Sequence, residues 1–231
     1  MSRILIIEDD RDIADLVAIH MEDNGHESTR ICDGKEGLIK AMEGKHDLII
    51  LDLKLPGMDG LEICRKLRME KIDTPVIMLT SKSEEIDKVL GLEIGADDYI
   101  TKPFSIRELV ARVKSVLRRG RAPSGPSESS NLIIERENLY LNVSKRIVKS
   151  YDRQVELSPK EFDLLVLLAS NPGKTYSRSD LLHQVWGVDF EGFEHTVNSH
   201  INRLRSKIEK NMNEPEFILT TWGVGYKFKD E

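Results

Sequence analysis

The sequence predicts an α/β doubly wound, five-stranded parallel sheet followed by a smaller α+β domain. In the first half, apolar runs of about five residues alternate with helical patterns of about ten, which is typical of a parallel sheet with helices on both faces. In the second half, short alternating runs come first, then three helical patterns and a final hairpin pattern. This change of pattern predicts two domains.

Composition limits the kind of protein. The 231 residues suffice for two ordinary domains, and 39% hydrophobic with 32% charged residues indicates a globular chain. No apolar run reaches the roughly 18 residues of a membrane span, so we expect no membrane partner. Cys32 and Cys64 lack metal-ligand spacing, which favours free thiols in the cytoplasm. The net charge is −6, so any binding to nucleic acid must come from a local patch.

Five strands and five helices are expected in the first half. The predicted strands are Arg3–Ile7, Glu27–Ile31, Leu48–Asp52, Pro75–Leu79 and Asp98–Thr101. The predicted helices lie near residues 13–21, 34–44, 61–69, 84–94 and 106–117. Right-handed crossovers place the carboxyl ends of all five strands at one edge of the sheet.

Polar residues stand where these apolar runs stop. They are Glu8, Asp9, Asp52, Thr80 and Lys102. Carboxylates that converge repel one another, and oxygen ligands of this kind suit Mg²⁺. Asp52 could then attack phosphorus as a nucleophile, with Thr80 and Lys102 contacting the phosphoryl oxygens. The alternative is a carboxylate–lysine cluster of purely structural value.

Four motifs carry a resemblance to a known family. IEDD, LDLKLPGMDG, MLTSK and GADDYITKPF resemble the flavodoxin-like receiver domain of two-component response regulators over about residues 1–120. The resemblance implies that a sensor histidine kinase phosphorylates Asp52, and that Thr80 and Tyr99 form a switch pair. It also implies a metal site made by Glu8, Asp9, Asp52 and the backbone carbonyl of Lys54. Glu8 departs from the usual Asp, which implies a metal contact through water.

Two further hypotheses concern charged residues of this domain. Lys54 and Lys82 lie at the mouth of the site, where their charge would alter the lifetime of the phosphate. A second set is similar to the dimerisation face of one receiver subfamily, with Lys88–Glu108 and Asp98–Arg112 pairing across a twofold axis. That set comprises Lys88, Asp97, Asp98, Glu108, Arg112 and Lys114. An ordinary solvated face is the alternative.

A Pro-, Gly- and Ser-rich stretch separates the domains. Residues 118–131, RRGRAPSGPSESSN, lack periodic apolar residues and predict a flexible tether. We therefore expect a receiver domain at 1–120, a linker at 121–131 and a second domain at 132–231. In the latter, residues 132–157 predict an antiparallel sheet, and helices are expected at 162–169, 179–186 and 195–210 before a hairpin around Gly223 and Gly225.

The third of these helices has two different faces. Val197, Ile201, Leu204 and Ile208 form an apolar stripe. The other side carries Arg, Asn and Ser residues, and Glu209 is the only acid of the predicted helix. Such a helix can enter a major groove, although an ordinary amphipathic surface helix is the alternative. The candidate contacts on this helix are His195, Asn198, Ser199, Asn202, Arg203 and Arg205.

The second domain also resembles a known family. ELSPKEFDLL, HTVNSHINRLRSKI and WGVGYKF resemble the OmpR/PhoB-type winged helix-turn-helix effector domain. The resemblance implies binding to double-stranded promoter DNA, with Thr220 and Trp222 in the wing, and a contact between RNA polymerase and the loop before the third helix. Trp222 replaces the usual wing Arg, so we expect a shallower salt dependence of binding.

The favoured function is a phosphorylation-activated transcription regulator that dimerises on phosphorylation and binds promoter DNA. One rival is a Mg²⁺-dependent phosphohydrolase, but Lys54 occupies the position where such enzymes place a second Asp. Another is a DNA-binding protein whose receiver is vestigial. A third is a C-terminal domain that binds only protein.

Overall fold

The computed structural model describes residues 1–81, 95–120, 132–187 and 194–230, in two compact units, Met1–Leu117 and Arg118–Glu231. The predicted helix near 84–94, the linker 121–131, and Lys82 and Lys88 lie outside the described residues. The first unit contains the strands β1 (Arg3–Ile7), β2 (Glu27–Ile31), β3 (Leu48–Asp52), β4 (Val76–Ser81) and β5 (Asp98–Lys102). All pair in parallel, in the order β2-β1-β3-β4-β5, which confirms the predicted fold class.

Helices cover this sheet, and side chains fix the residues at which three of them begin. The helices are α1 (Arg11–Asp23), α2 (Gly34–Met42), α3 (Gly60–Met69) and α4 (Ile106–Gly120). Asp10, Asp33 and Asp59 accept backbone N–H groups of the first turns of α1, α2 and α3. Residues of β1 and β3 pack with α1 and α4 in a core whose side chains are almost wholly buried. The edge of the sheet at which the strands end is therefore held by a well-packed core.

Two glycines allow the loop after β3 to fold closely against its neighbours. A Cβ atom at Gly60 would lie 2.2 Å from the carbonyl oxygen of Asp52, and one at Gly34 would lie 2.0 Å from that of Met58. The Gly60 N–H donates to the carbonyl oxygen of Leu53. Only glycine permits this approach, which brings the start of α3 against the end of β3.

A buried ion pair joins α3 to β5. Arg68 lies 3.1 Å from Asp97 and also donates to the carbonyl oxygens of Gly95, Ile72 and Thr74. The carboxylate of Asp97 also accepts the N–H of Val76, and its side chain has no exposed surface. The prediction that Asp97 belongs to a dimer face is therefore corrected: its charge is used inside the protomer.

The second unit begins with an antiparallel sheet, β6 (Ile133–Arg136), β7 (Leu139–Asn142), β8 (Ile147–Ser150) and β9 (Arg153–Val155). Three helices follow: α5 (Pro159–Ala169), α6 (Arg178–Trp186) and α7 (His195–Ile208). The hairpin strands β11 (Ile218–Thr221) and β12 (Gly225–Phe228) form a second sheet with β10 (Tyr176–Ser177), a strand that the sequence did not predict.

Helix α7 ends two residues before the predicted end at Lys210. Glu209 has an extended backbone, with φ −89° and ψ 148°. Its carboxylate accepts the N–H groups of Glu216, Phe217 and Ile218, which lead into β11. The helix stops because this acid binds the start of the hairpin.

We expect Arg68→Ala to lower the free energy of unfolding by about 3–5 kcal/mol, because it removes the cation that faces a fully buried carboxylate. Urea denaturation followed by circular dichroism measures this change. Arg65→Ala is the matched control, since Arg65 lies on the exposed side of α3 and its removal should cost no more than about 0.5 kcal/mol. Equal stabilities of the two variants would contradict the importance of this pair.

Candidate functional site

The carboxyl edge of the parallel sheet gathers the polar residues that follow the strands. Glu8 directly follows β1, Asp52 ends β3, and Lys102 ends β5. The strand register aligns Asp52 with Leu79 and Lys102 with Ser81, which brings the ends of β3, β4 and β5 together. Polar groups from separate parts of the chain thus meet at one place.

Lys102 bridges two carboxylates at this edge. Its Nζ lies 2.7 Å from Asp52 Oδ2, and 2.7 and 2.8 Å from the two carboxylate oxygens of Glu8. Burial alone lowers the pKa of Lys102, but the hydrogen bonds to Asp52 and Glu8 outweigh burial and raise it. Lys102 is therefore held as a cation beside Asp52. Its peptide bond to Pro103 is cis.

Three acids form a cluster that could hold a metal ion. One carboxylate oxygen each from Glu8, Asp9 and Asp52 lies within 4.8 Å of the others. Glu8 is fully buried, and burial raises the pKa of its carboxyl to about 7, while Lys102 opposes this shift and Asp52 adds to it. A hard divalent cation would favour the ionised form of such a group. The donor set thus fits a cation that prefers oxygen.

Lys54, Thr80 and Tyr99 are the other predicted site residues of this unit that the structure describes. The N–H of Lys54 donates to Asp52 Oδ1 at 3.2 Å. Thr80 is buried on β4, and Tyr99 is buried on β5, where it pairs in register with Met78. Both predicted switch residues therefore begin from buried positions on neighbouring strands.

The charged residues of α4 and β5 pair inside one protomer. Arg112 lies 3.0 Å from Asp98 and 3.0 Å from Glu108. Asp98 and Arg112, which the sequence predicts to pair across a twofold axis, are thus already partnered within one chain, and the pairing between protomers stays a prediction. Lys114 is exposed on the same helix.

The second unit presents the polar face of α7. Val197, Ile201, Leu204 and Ile208 are buried, which confirms the predicted apolar stripe. His195 and Asn202 are exposed, Ser199 is half-buried, and the Ser199 hydroxyl donates to the carbonyl oxygen of His195. The exposed face is thus mainly uncharged.

Arginines predicted to contact DNA are largely engaged within the domain. The guanidinium of Arg205 is buried and donates to the Ile218 carbonyl oxygen and to Thr220 Oγ1. Arg205 is therefore corrected from a DNA contact to a residue that fixes β11 to α7. Arg203 lies 3.6 Å from the buried carboxylate of Glu161, which also binds Lys207.

The hairpin is attached to α7 through a second contact, which sequence reasoning missed. Arg178, at the start of α6, donates to Asn198 Oδ1, and the hydroxyl of Tyr226 on β12 donates to the same oxygen. Trp222 lies in the turn between β11 and β12, and 89% of its surface is exposed. No periodicity signals the Arg178 contact, because its partners are 20 or more residues away.

Within the described ranges, no helix is long and apolar enough to cross a membrane.

Both units match known protein families. Residues 4–114 match the family described as "Response regulator receiver domain". Residues 152–228 match the family described as "Transcriptional regulatory protein, C terminal".

Curated relatives are similar over nearly their whole length. The alkaline phosphatase synthesis transcriptional regulatory protein PhoP of Bacillus subtilis (strain 168) is 44% identical, over 99% of this chain and 97% of that protein. The regulatory protein VanR of Enterococcus faecium is 42% identical, over 98% of each chain. The solved structure of the Thermotoga maritima OmpR/PhoB homologue DrrB has a TM-score of 0.51 and 33% identity, over 99% of each chain. The chain therefore belongs to the OmpR/PhoB-type response regulators of two-component systems, in which a receiver domain is joined to a DNA-binding winged-helix domain. Members of this family regulate transcription and are not enzymes.

Proposed function

We propose that Asp52 is the phosphoacceptor of this response regulator, and that its phosphorylation drives dimerisation and promoter binding. The observation that carries the proposal is the bridge from Lys102 to Asp52 and Glu8 beside Asp9. A carboxylate held next to a fixed cation and two further acids is suited to accept and hold a phosphoryl group.

The chemistry is transfer from a phosphohistidine of a sensor histidine kinase. An oxygen of Asp52 attacks phosphorus, the N–P bond breaks as the O–P bond forms, and the electron pair returns to the histidine ring. A bound Mg²⁺ would supply charge neutralisation between the acids and the phosphoryl oxygens. Glu8, Asp9, Asp52 and the backbone carbonyl of Lys54 are the proposed ligands, with Glu8 bound through water.

The residues of the chain then stabilise the phosphorylated form. The Nζ of Lys102, which shares its hydrogen bonds between Asp52 and Glu8, turns to a phosphoryl oxygen. The hydroxyl of Thr80 donates to another oxygen, and Tyr99 follows it as the second switch residue. Lys54, beside Asp52, affects how long the phosphate lasts.

Dimerisation would exchange ion-pair partners on the face formed by α4 and β5. Arg112 binds Asp98 and Glu108 of its own chain, and in the dimer it binds Asp98 of the second protomer while Lys88 binds Glu108. Because each pair that breaks is replaced, the exchange is energetically inexpensive. Lys114 contributes at the exposed margin. Two winged-helix domains then bind DNA as a bivalent unit, which raises affinity without a new contact in either domain.

The proposed DNA surface consists of α7 and the hairpin wing. His195, Ser199 and Asn202 lie on the outer side of α7, with Asn198 at its margin. Arg203 supplies positive charge, while Trp222 extends from the wing beside Thr220. RNA polymerase is a proposed further partner through the loop before α7, of which residues 188–193 lie outside the described part of the chain.

We expect Asp52→Asn to abolish phosphorylation-dependent dimerisation, because an amide cannot form the acyl phosphate. Analytical ultracentrifugation after treatment with acetyl phosphate and Mg²⁺ measures this, with phosphate incorporation followed in parallel. Asp15→Asn is the control, since Asp15 is an exposed partner of Arg30 away from the site. Phosphate-dependent dimers of the Asp52 variant would refute the assignment.

We expect Arg112→Ala to weaken the phosphorylated dimer by at least about tenfold while leaving phosphate incorporation unchanged, because it removes the cation that faces two acids. The dissociation constant from sedimentation measures the effect. Arg107→Ala removes an exposed cation from the same helix and should leave the dimer unchanged. A normal dimer of the Arg112 variant would place the interface elsewhere.

We expect promoter DNA to protect Trp222 from quenching by acrylamide, because only this Trp is widely exposed while Trp186 is 7% exposed. Steady-state fluorescence of the phosphorylated protein, with and without DNA, measures the change. In Trp222→Phe the remaining tryptophan fluorescence comes from Trp186, which serves as an internal control. DNA should change the quenching of this variant by acrylamide very little. Unprotected Trp222 in a protein–DNA complex would exclude the wing from the interface.

A further inference from the structure

The amide of Asn198 is held in one orientation by two donors. Arg178 Nε lies 3.0 Å and the Tyr226 hydroxyl 2.9 Å from Asn198 Oδ1. A guanidinium can only donate hydrogen bonds, so the atom of Asn198 that faces it must be the oxygen and not the nitrogen. The two donors use both lone pairs of this oxygen. The orientation of the amide is therefore fixed by chemistry.

The donors are themselves fixed by the rest of the domain. Two guanidinium groups contact the Tyr226 ring, with Arg178 5.6 Å and Arg205 5.5 Å from its centre. Arg205 is held by Ile218 and Thr220, and Arg178 also reaches the carbonyl oxygen of Val224. Asn198 cannot turn its amide over without breaking contacts to both α6 and β12.

Within the described part of the chain, the nitrogen of this amide has no hydrogen-bond partner. Among the described residues, the only hydrogen bonds of the Asn198 side chain are those that its oxygen accepts, and Nδ2 is not one of the buried atoms without a partner. Asn198 is half-buried at the margin of the face that bears His195 and Asn202. Nδ2 thus offers two N–H donors and no acceptor beside them.

We propose that Asn198 reads DNA as a donor only and selects a keto base, guanine or thymine, at one position of the operator. In the major groove guanine presents O6 and N7, and thymine presents O4, as acceptors. Cytosine presents an N4 donor, and adenine pairs well with Asn only if the Asn oxygen is free to accept from N6. That oxygen is already occupied. This inference rests on the proposed contact between α7 and the major groove.

Selection of binding sites from random DNA by the full-length protein, activated with beryllofluoride, tests the proposal. The unmodified protein is expected to select guanine or thymine at one operator position. The base preferred at that position should change when residue 198 is substituted. Asn198→Asp retains an oxygen for Arg178 and Tyr226 but replaces the outer donor with an acceptor. It is expected to reverse the preference at that position to cytosine or adenine, by on the order of tenfold.

Two further variants make the test specific. Asn202→Asp makes the same chemical change on the same helix, where no bond within the described residues anchors the amide, and it should leave the base at the Asn198 position unchanged. The double variant Arg178→Met with Tyr226→Phe frees Asn198 Oδ1 and should admit adenine there.

The outcomes separate this inference from the function on which it depends. If the activated protein selects no sequence, the proposed DNA-binding surface fails and this inference with it. If it selects a clear operator, but Asn198→Asp leaves every base preference unchanged or the unmodified protein selects cytosine at that position, only the donor assignment is overturned. A reversal in Asn198→Asp, without one in Asn202→Asp, supports it.

Discussion

The ammonium group of Lys102 lies between the carboxylates of Asp52 and Glu8, and the N-terminal unit is built so that these groups meet. They come from three strands that are far apart along the chain, and only a parallel sheet places the ends of those strands at one edge. The cation compensates part of the repulsion between acids that are mostly buried. Burial still dominates at Glu8 and raises the pKa of its carboxyl to about 7. A divalent cation held by the acid cluster would favour the ionised form of this carboxyl.

The two arginine ion pairs of this unit differ in how deeply they are buried, and therefore in how costly they are to break. Arg68 and Asp97 are almost fully buried, and breaking their pair leaves a charge away from water. Arg112 and its partners are partly exposed, so solvent lowers the cost of separating them. In the proposed dimer a pair of the second kind would exchange partners between protomers, whereas the pair of the first kind holds α3 to the residue that precedes β5.

The C-terminal unit uses its arginines in an unexpected way. Arg205 and Arg178 bind the hairpin to the helices, and both contact the Tyr226 ring. Fewer cations therefore remain on the outer side of α7, where His195 and Asn202 are exposed, and the wing ends in Trp222. In the proposed interface with DNA, such a surface would depend more on hydrogen bonds and apolar contact than on phosphate neutralisation. It favours a weak dependence of DNA binding on salt.

The sequence by itself determined the sheet, those of its helices that the structure describes, the polar residues at the strand ends and the winged-helix pattern, because apolar periodicity and strand ends are local signals. It did not determine the use of individual charges. Asp97 and Arg205 looked like surface residues in sequence, but the fold buries each against a partner distant in the chain. The short strand β10 and the contact of Arg178 with Asn198 also depend on distant segments. Only the tertiary structure decides such pairings, because a charged side chain is satisfied by whichever partner the fold brings within about 3 Å.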